Sequence, residues 1–112
     1  MPTTDLDAIA FEIHQNAIDK GFWEPNNEDT HTIFYLKQLA MIHSEVSEVL
    51  EAIRKEKGDD KVVEELADIL IRVLDLWAGL VRDGYTNHSL QETLLTKMKI
   101  NTSRAKLHGV LA

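Results

Sequence analysis

Apolar residues recur at helical spacing through most of the chain. Leu6, Ile9, Ala10, Ile13 and Ala17 mark a first helix over roughly Asp5 to Lys20, with Gly21 as its stop. The stretch FWEPNNEDT then reads as a loop, through Pro25, Asn26 and Asn27. A second helix is expected from Thr30 to Lys57, capped by Asp29 or Thr30 and terminated by Gly58. The third starts at Asp59 or Asp60 and ends before Gly84, where DGYTN makes a turn. Ser89 and Glu92 have capping-box spacing and open a fourth helix that runs to about Arg104. KLHGVLA reads as a frayed or partner-dependent tail. With no strand pattern, internal repeat or low-complexity segment, the expectation is one all-α domain over residues 1–112, a four-helix bundle with short connections.

Composition narrows the picture. The 112 residues, 44% of them apolar, suffice for one core and are too few for two domains. The absence of cysteine excludes disulfides and thiolate metal sites, and it suits a reducing, cytoplasmic setting. No signal-peptide pattern or membrane span is expected: the apolar stretch after Ala67 is broken by Asp68, Arg72 and Asp75. A net charge of −7 argues against a nucleic-acid polymer as partner. An acidic protein that takes a phosphorylated small molecule needs bound cations to bridge the like charges.

Two pairs of carboxylates supply candidate chemistry. Glu45 and Glu48 are three residues apart, as are Glu65 and Asp68. On the second helix Leu39, Ile42, Val46, Leu50 and Ile53 form one apolar arc, and Lys37, Ser44, Ser47, Glu51 and Arg54 form the polar face. Glu45 and Glu48 lie on neither, in a strip shared with Phe34, Met41 and Ala52. Glu65 and Asp68 border a wide apolar arc on the third helix, whose width suggests packing on more than one side and a dimer. A turn at Gly58 and Asp59 would set the helices antiparallel and the pairs face to face. Four clustered carboxylates repel and lose hydration, and a hard cation relieves both. Mg²⁺ fits such oxygen ligands, with Mn²⁺ as a substitute. The plainer reading is a solvated helical surface, with Asp68 and Arg72 spaced for a salt bridge along one helix. The pattern alone leaves both open.

Other constellations are weaker. Glu28 and His31 form a lone Glu-x-x-His, where a di-iron bundle needs two. Nothing around His43 singles it out for phosphotransfer, and Trp77 falls inside the apolar arc, as a core or interface residue would. No phosphate loop, dinucleotide fingerprint, nucleophile elbow or His-Glu-x-x-His is present.

The segments HSEVSEVLEAIR, EELADILIRVLDL and KMKINTSRAKLHG, in that order, resemble the MazG-like all-α nucleoside triphosphate pyrophosphohydrolases, a superfamily that includes dimeric dUTPases and dCTP pyrophosphatases. The resemblance runs from about His14 to Gly109. Its Glu-x-x-Glu and Glu-x-x-Asp motifs stand here as Glu45, Glu48, Glu65 and Asp68, with 16 residues between the pairs. Its Lys-x-x-x-Asn-x-x-Arg motif stands as Lys97, Asn101 and Arg104. The resemblance implies Mg²⁺-dependent cleavage of a nucleoside triphosphate, here a deoxynucleotide, at the α–β phosphoanhydride, for pool sanitation or control. It implies Glu45, Glu48, Glu65 and Asp68 as metal ligands, with Glu48 or Glu45 orienting the water. Lys97 and Arg104 are similar to phosphate-binding residues, Asn101 to a residue near sugar or base, and His14 and Trp23 to residues that enclose the base. A homodimer or homotetramer is implied as well.

Three departures stand out. Ser44 occupies a place where many members carry a further glutamate, and Arg72 one where several carry an aromatic. The segment around VRDGYTNHSL is longer than in small relatives. The rival reading is a non-catalytic helical interaction module that dimerises through its wide apolar arc.

Overall fold

The structure is a computed structural model that describes residues 5–23 and 30–104. The expected Pro25 loop, Glu28 of the Glu-x-x-His pair and the KLHGVLA tail lie wholly or largely outside the described residues. Four helices follow in order: α1 (Leu6–Asp19), α2 (His31–Arg54), α3 (Asp59–Arg82) and α4 (Leu90–Ser103).

Local chemistry sets their ends. The Asp5 side chain accepts from Asp7 N, Thr30 from Ile33 N and Ser89 from Glu92 N, each satisfying an orphan amide of a first turn. Gly58 caps α3 without a side-chain bond, and Asp59 and Asp60 face the helix dipole there. Three helices close alike, with a left-handed residue just past the end and two amides folded back onto the last turn. That residue is Gly21 after α1 and Gly84 after α3. After α2 it is Glu56, at φ 53°, with Lys57 N bonded to Ala52 O. So α2 ends three residues before the expected Lys57. Gly58 serves as the N-cap of α3 rather than as the terminator of α2.

α3 is the centre of the bundle, with α1 packed on one flank and α2 on the other, both antiparallel to it. Alanines make the close approaches: Ala10 and Ala78 are fully buried beside Leu74, with Ile9, Ile13 and Trp77 around them. Tyr35 donates to Asp83 at 2.7 Å and ties the start of α2 to the end of α3. Burial, then this bond and the Asp83 charge, pushes the Tyr35 hydroxyl up to about 12. Burial works against the Asp83 charge, but bonds from Tyr35 and Arg82 outweigh it and hold that carboxyl below its usual range.

α4 joins the bundle chiefly at its first turn. Asp7 accepts from Ser89 Oγ and Gln91 N, while Leu6 N donates to Gln91 Oε1. Beyond that clip Leu94, Leu95 and Met98 are exposed.

The buried apolar side chains among the described residues are four alanines, Leu74 and Trp23. The arc of α2 expected to supply core does not do so: Leu39, Val46, Leu50 and Ile53 are exposed and Ile42 is half-buried. Phe34, Glu45 and Ala52, from the strip beside that arc, are the better covered positions. No helix among the described residues is long and apolar enough to cross a membrane.

Candidate functional site

The two carboxylate pairs meet across the α2–α3 seam. Ligand-capable oxygens of Glu45, Glu65 and Asp68 all lie within 4.8 Å of one another. Residues three apart on each helix share a face, and the antiparallel turn at Gly58 brings the faces together. Glu48 lies at the rim of the same cluster and is exposed. The Glu45 charge, then the nearby Glu65 carboxylate, raises its pKa above the ordinary 4.5.

Glu65 is the most deeply placed, at 7% exposure. Its Oε1 is 3.1 Å from Lys61 Nζ one turn earlier, and its Oε2 is buried without a partner. The bond to Glu65, then the Glu64 charge, raises the Lys61 pKa. A buried carboxylate oxygen with no donor is costly unless a ligand satisfies it. With two further carboxylates inside 4.8 Å, the oxygen set fits a hard divalent cation.

Arg72 departs from expectation. Its partner is Glu45 on α2, with Nε donating to Oε1 at 3.0 Å, and not Asp68 one turn away on its own helix. The guanidinium thus crosses the seam and touches the cluster. A cleft of about 300 Å³ adjoins it, lined by Asn16, Lys20 and Phe22 from the α1 side and by Glu45, Asp68 and Arg72 from the other. A second cleft, of about 430 Å³, holds Glu48, Glu65 and Lys61.

His14 and Trp23 lie inside the α1–α3 seam. Each is 4% exposed. His14 Nδ1 is 2.7 Å from Asp75 Oδ1, and Trp23 Nε1 donates to both Asp75 oxygens at 2.8 and 2.9 Å. The Trp23 ring packs against Phe34 and the edge of His14, with the Arg82 guanidinium 5.1 Å from its centroid. It also lies against Gly79, where an added Cβ would run into the six-membered ring of Trp23. His14 Nε2 is buried without a partner. Asp75 carries this network, and its sequence signal was a charge inside the apolar arc of α3.

Lys97, Asn101 and Arg104 stand apart from the carboxylates. Lys97 and Arg104 are exposed, and among the described residues no ion pair joins either to the cluster. Asn101 is half-buried, with a buried Oδ1 that has no partner.

A family model described as the MazG nucleotide pyrophosphohydrolase domain matches residues 35–102, a span that holds both carboxylate pairs and reaches Asn101. No curated protein and no solved structure gives a significant match.

Proposed function

The chain belongs to the MazG nucleotide pyrophosphohydrolase family, and from that premise we propose that it hydrolyses a deoxynucleoside triphosphate to the monophosphate and pyrophosphate with Mg²⁺ at Glu45, Glu48, Glu65 and Asp68. The observation that carries this reading is Glu65 Oε2, buried and unpartnered beside two more carboxylates. Mg²⁺ there would neutralise the polyphosphate against the acidic seam and polarise the scissile phosphoanhydride. Glu48 has an accessible position at the rim of the cluster, from which its carboxylate could take a proton from an attacking water. Asn16 and Phe22 offer the adjoining cleft a hydrogen-bonding amide and a stacking ring for a nucleoside.

The same reading includes assembly with further copies of the chain, as a homodimer or homotetramer. Its support is the exposed Leu39, Val46, Leu50 and Ile53 of α2, the exposed Val63, Leu66 and Leu70 of α3, and the thin alanine core. Since α4 leaves the bundle beyond its first turn, Lys97, Asn101 and Arg104 would serve the phosphates and sugar at a neighbouring copy's carboxylates. His14 and Trp23 would shape the nucleoside pocket from behind, through Asp75.

The test is incubation of the purified protein with Mg²⁺ and each of the eight common nucleoside and deoxynucleoside triphosphates, with products resolved by ion exchange. Monophosphate plus pyrophosphate is expected. Diphosphate plus phosphate would overturn the reaction, and no product from any nucleotide would favour the interaction module.

A further inference from the structure

Lys61, Glu65, Asp68 and Arg72 follow one another at intervals of four, three and four residues along α3, so they share one face of the helix. The two inner residues are carboxylates of the cluster and the two outer ones are cations. Each cation already holds a cluster carboxylate: Lys61 holds Glu65 at 3.1 Å, and Arg72 holds Glu45 at 3.0 Å. The two contacts differ in kind. Lys61 reaches along its own helix and leaves Glu65 Oε2 bare, whereas Arg72 crosses to α2 and engages the only α2 carboxylate in the tightest group.

A divalent ion that takes Glu45, Glu65 and Asp68 together would sit within a few ångströms of the guanidinium. Two cations that close share one carboxylate poorly, because their repulsion grows as water leaves the seam. Arg72 is 35% exposed and borders the cleft that also contains Glu45 and Asp68, so it has somewhere to go. A planar guanidinium freed at that rim is well formed to grip phosphate oxygens.

We propose that Arg72 is the resident counter-cation of the metal-free site, is displaced from Glu45 by the divalent ion, and then binds the substrate's polyphosphate in the cleft it lines. The inference rests on the hydrolase reading above, and it gives that site a positioning residue that couples metal binding to phosphate binding.

Two binding measurements on Arg72→Gln test it. Mn²⁺ alone should bind about fivefold tighter than to the parent chain, as expected for the loss of a competing, partly exposed ion pair. Inorganic pyrophosphate in saturating Mg²⁺ should bind about tenfold weaker. A merely structural role would weaken both. Lys20→Gln removes the same charge from the same cleft and should change Mn²⁺ affinity less; an equal gain would reduce the effect to bulk charge and overturn the proposal. The Arg72 Nε–H resonance of the parent chain gives a readout that needs no variant. It should shift on Mg²⁺ addition with the same half-saturation as metal binding, and a resonance unmoved at saturation would overturn the displacement. No Mn²⁺ binding to the parent chain would overturn the metal centre and the inference together. None of these measurements uses turnover, so a chain that passes them and hydrolyses no nucleotide would sink the hydrolase reading alone.

Discussion

α3 carries Asp75 into the seam with α1 and Glu65 into the seam with α2, and the two carboxylates are treated in opposite ways. Asp75 is enclosed by donors, with His14 on one oxygen and the Trp23 indole shared between both. Glu65 is buried too, yet only one of its oxygens meets a donor, Lys61, while the carboxylates of Glu45 and Asp68 crowd within 4.8 Å. A buried charge with its bonds complete fixes an architecture, whereas one left open is held ready for something the chain does not itself contain. The α1–α3 seam ties the bundle together through Asp75, and the α2–α3 seam holds the open carboxylate on which the proposed site rests.

The sharpest way to break that comparison is to neutralise one acid in the α2–α3 seam. Glu48→Gln and Asp68→Asn should each lower turnover by about 100-fold or more, with helical circular dichroism unchanged. Turnover retained in either would remove the assigned site. The next largest effect belongs to the other seam. Gly79→Ala drives a methyl into the Trp23 ring and should cost about 3 kcal/mol, read as a clear fall in melting temperature with or without Mg²⁺. An unchanged melting temperature would mean that Trp23 does not rest there. Asp75→Asn should cost about 1 kcal/mol by weakening the bonds from His14 and Trp23. It should leave Mn²⁺ affinity near the parent value, and a large loss of metal binding would show that the two seams are not separable.

The smallest effect is a pH dependence. Glu48 has a folded-state pKa raised above its ordinary 4.5 by Glu45 and Glu65. Folding then favours its protonated form. That contribution is fully present below the ordinary value and is lost as pH rises through the raised one. Without metal, the melting temperature of the parent chain should fall relative to Glu48→Gln over this interval, and Mg²⁺ should restore it at neutral pH. Parallel curves for the two proteins would mean that Glu48 does not feel its neighbours.

Much of this was legible in the sequence, and what was missed has a physical cause. Caps are local, so Thr30 and Ser89 could be read from a few adjacent residues, whereas Asp5, expected as the first helical residue, is the cap of α1. The end of α2 was misplaced because Glu56, not a glycine, takes the left-handed conformation that closes it. Helical periodicity put the two pairs of acids on facing strips, since spacing along one helix and a short turn settle that much. It could not show that the Leu39–Ile53 arc would stay uncovered, because periodicity says which residues share a face and not what that face meets. The partner of Arg72 was hidden for the same reason. Spacing displays Asp68 one turn away, while Glu45 becomes a neighbour only once the helices have packed. The resemblance implies His14 and Trp23 as residues that enclose a base, and it gives no sign that both are buried against Asp75, which is marked only by a charge among apolar residues.

The contact between Trp23 and Gly79 also bears on how this sequence can drift. The indole fills the space that any side chain at position 79 would need, so neither position is free to vary alone. A larger residue at 79 becomes tolerable only after 23 has shrunk, and a smaller ring at 23 opens a void until 79 has grown. The two sites form one heritable unit, and sequences descended from this one should keep both residues or exchange both.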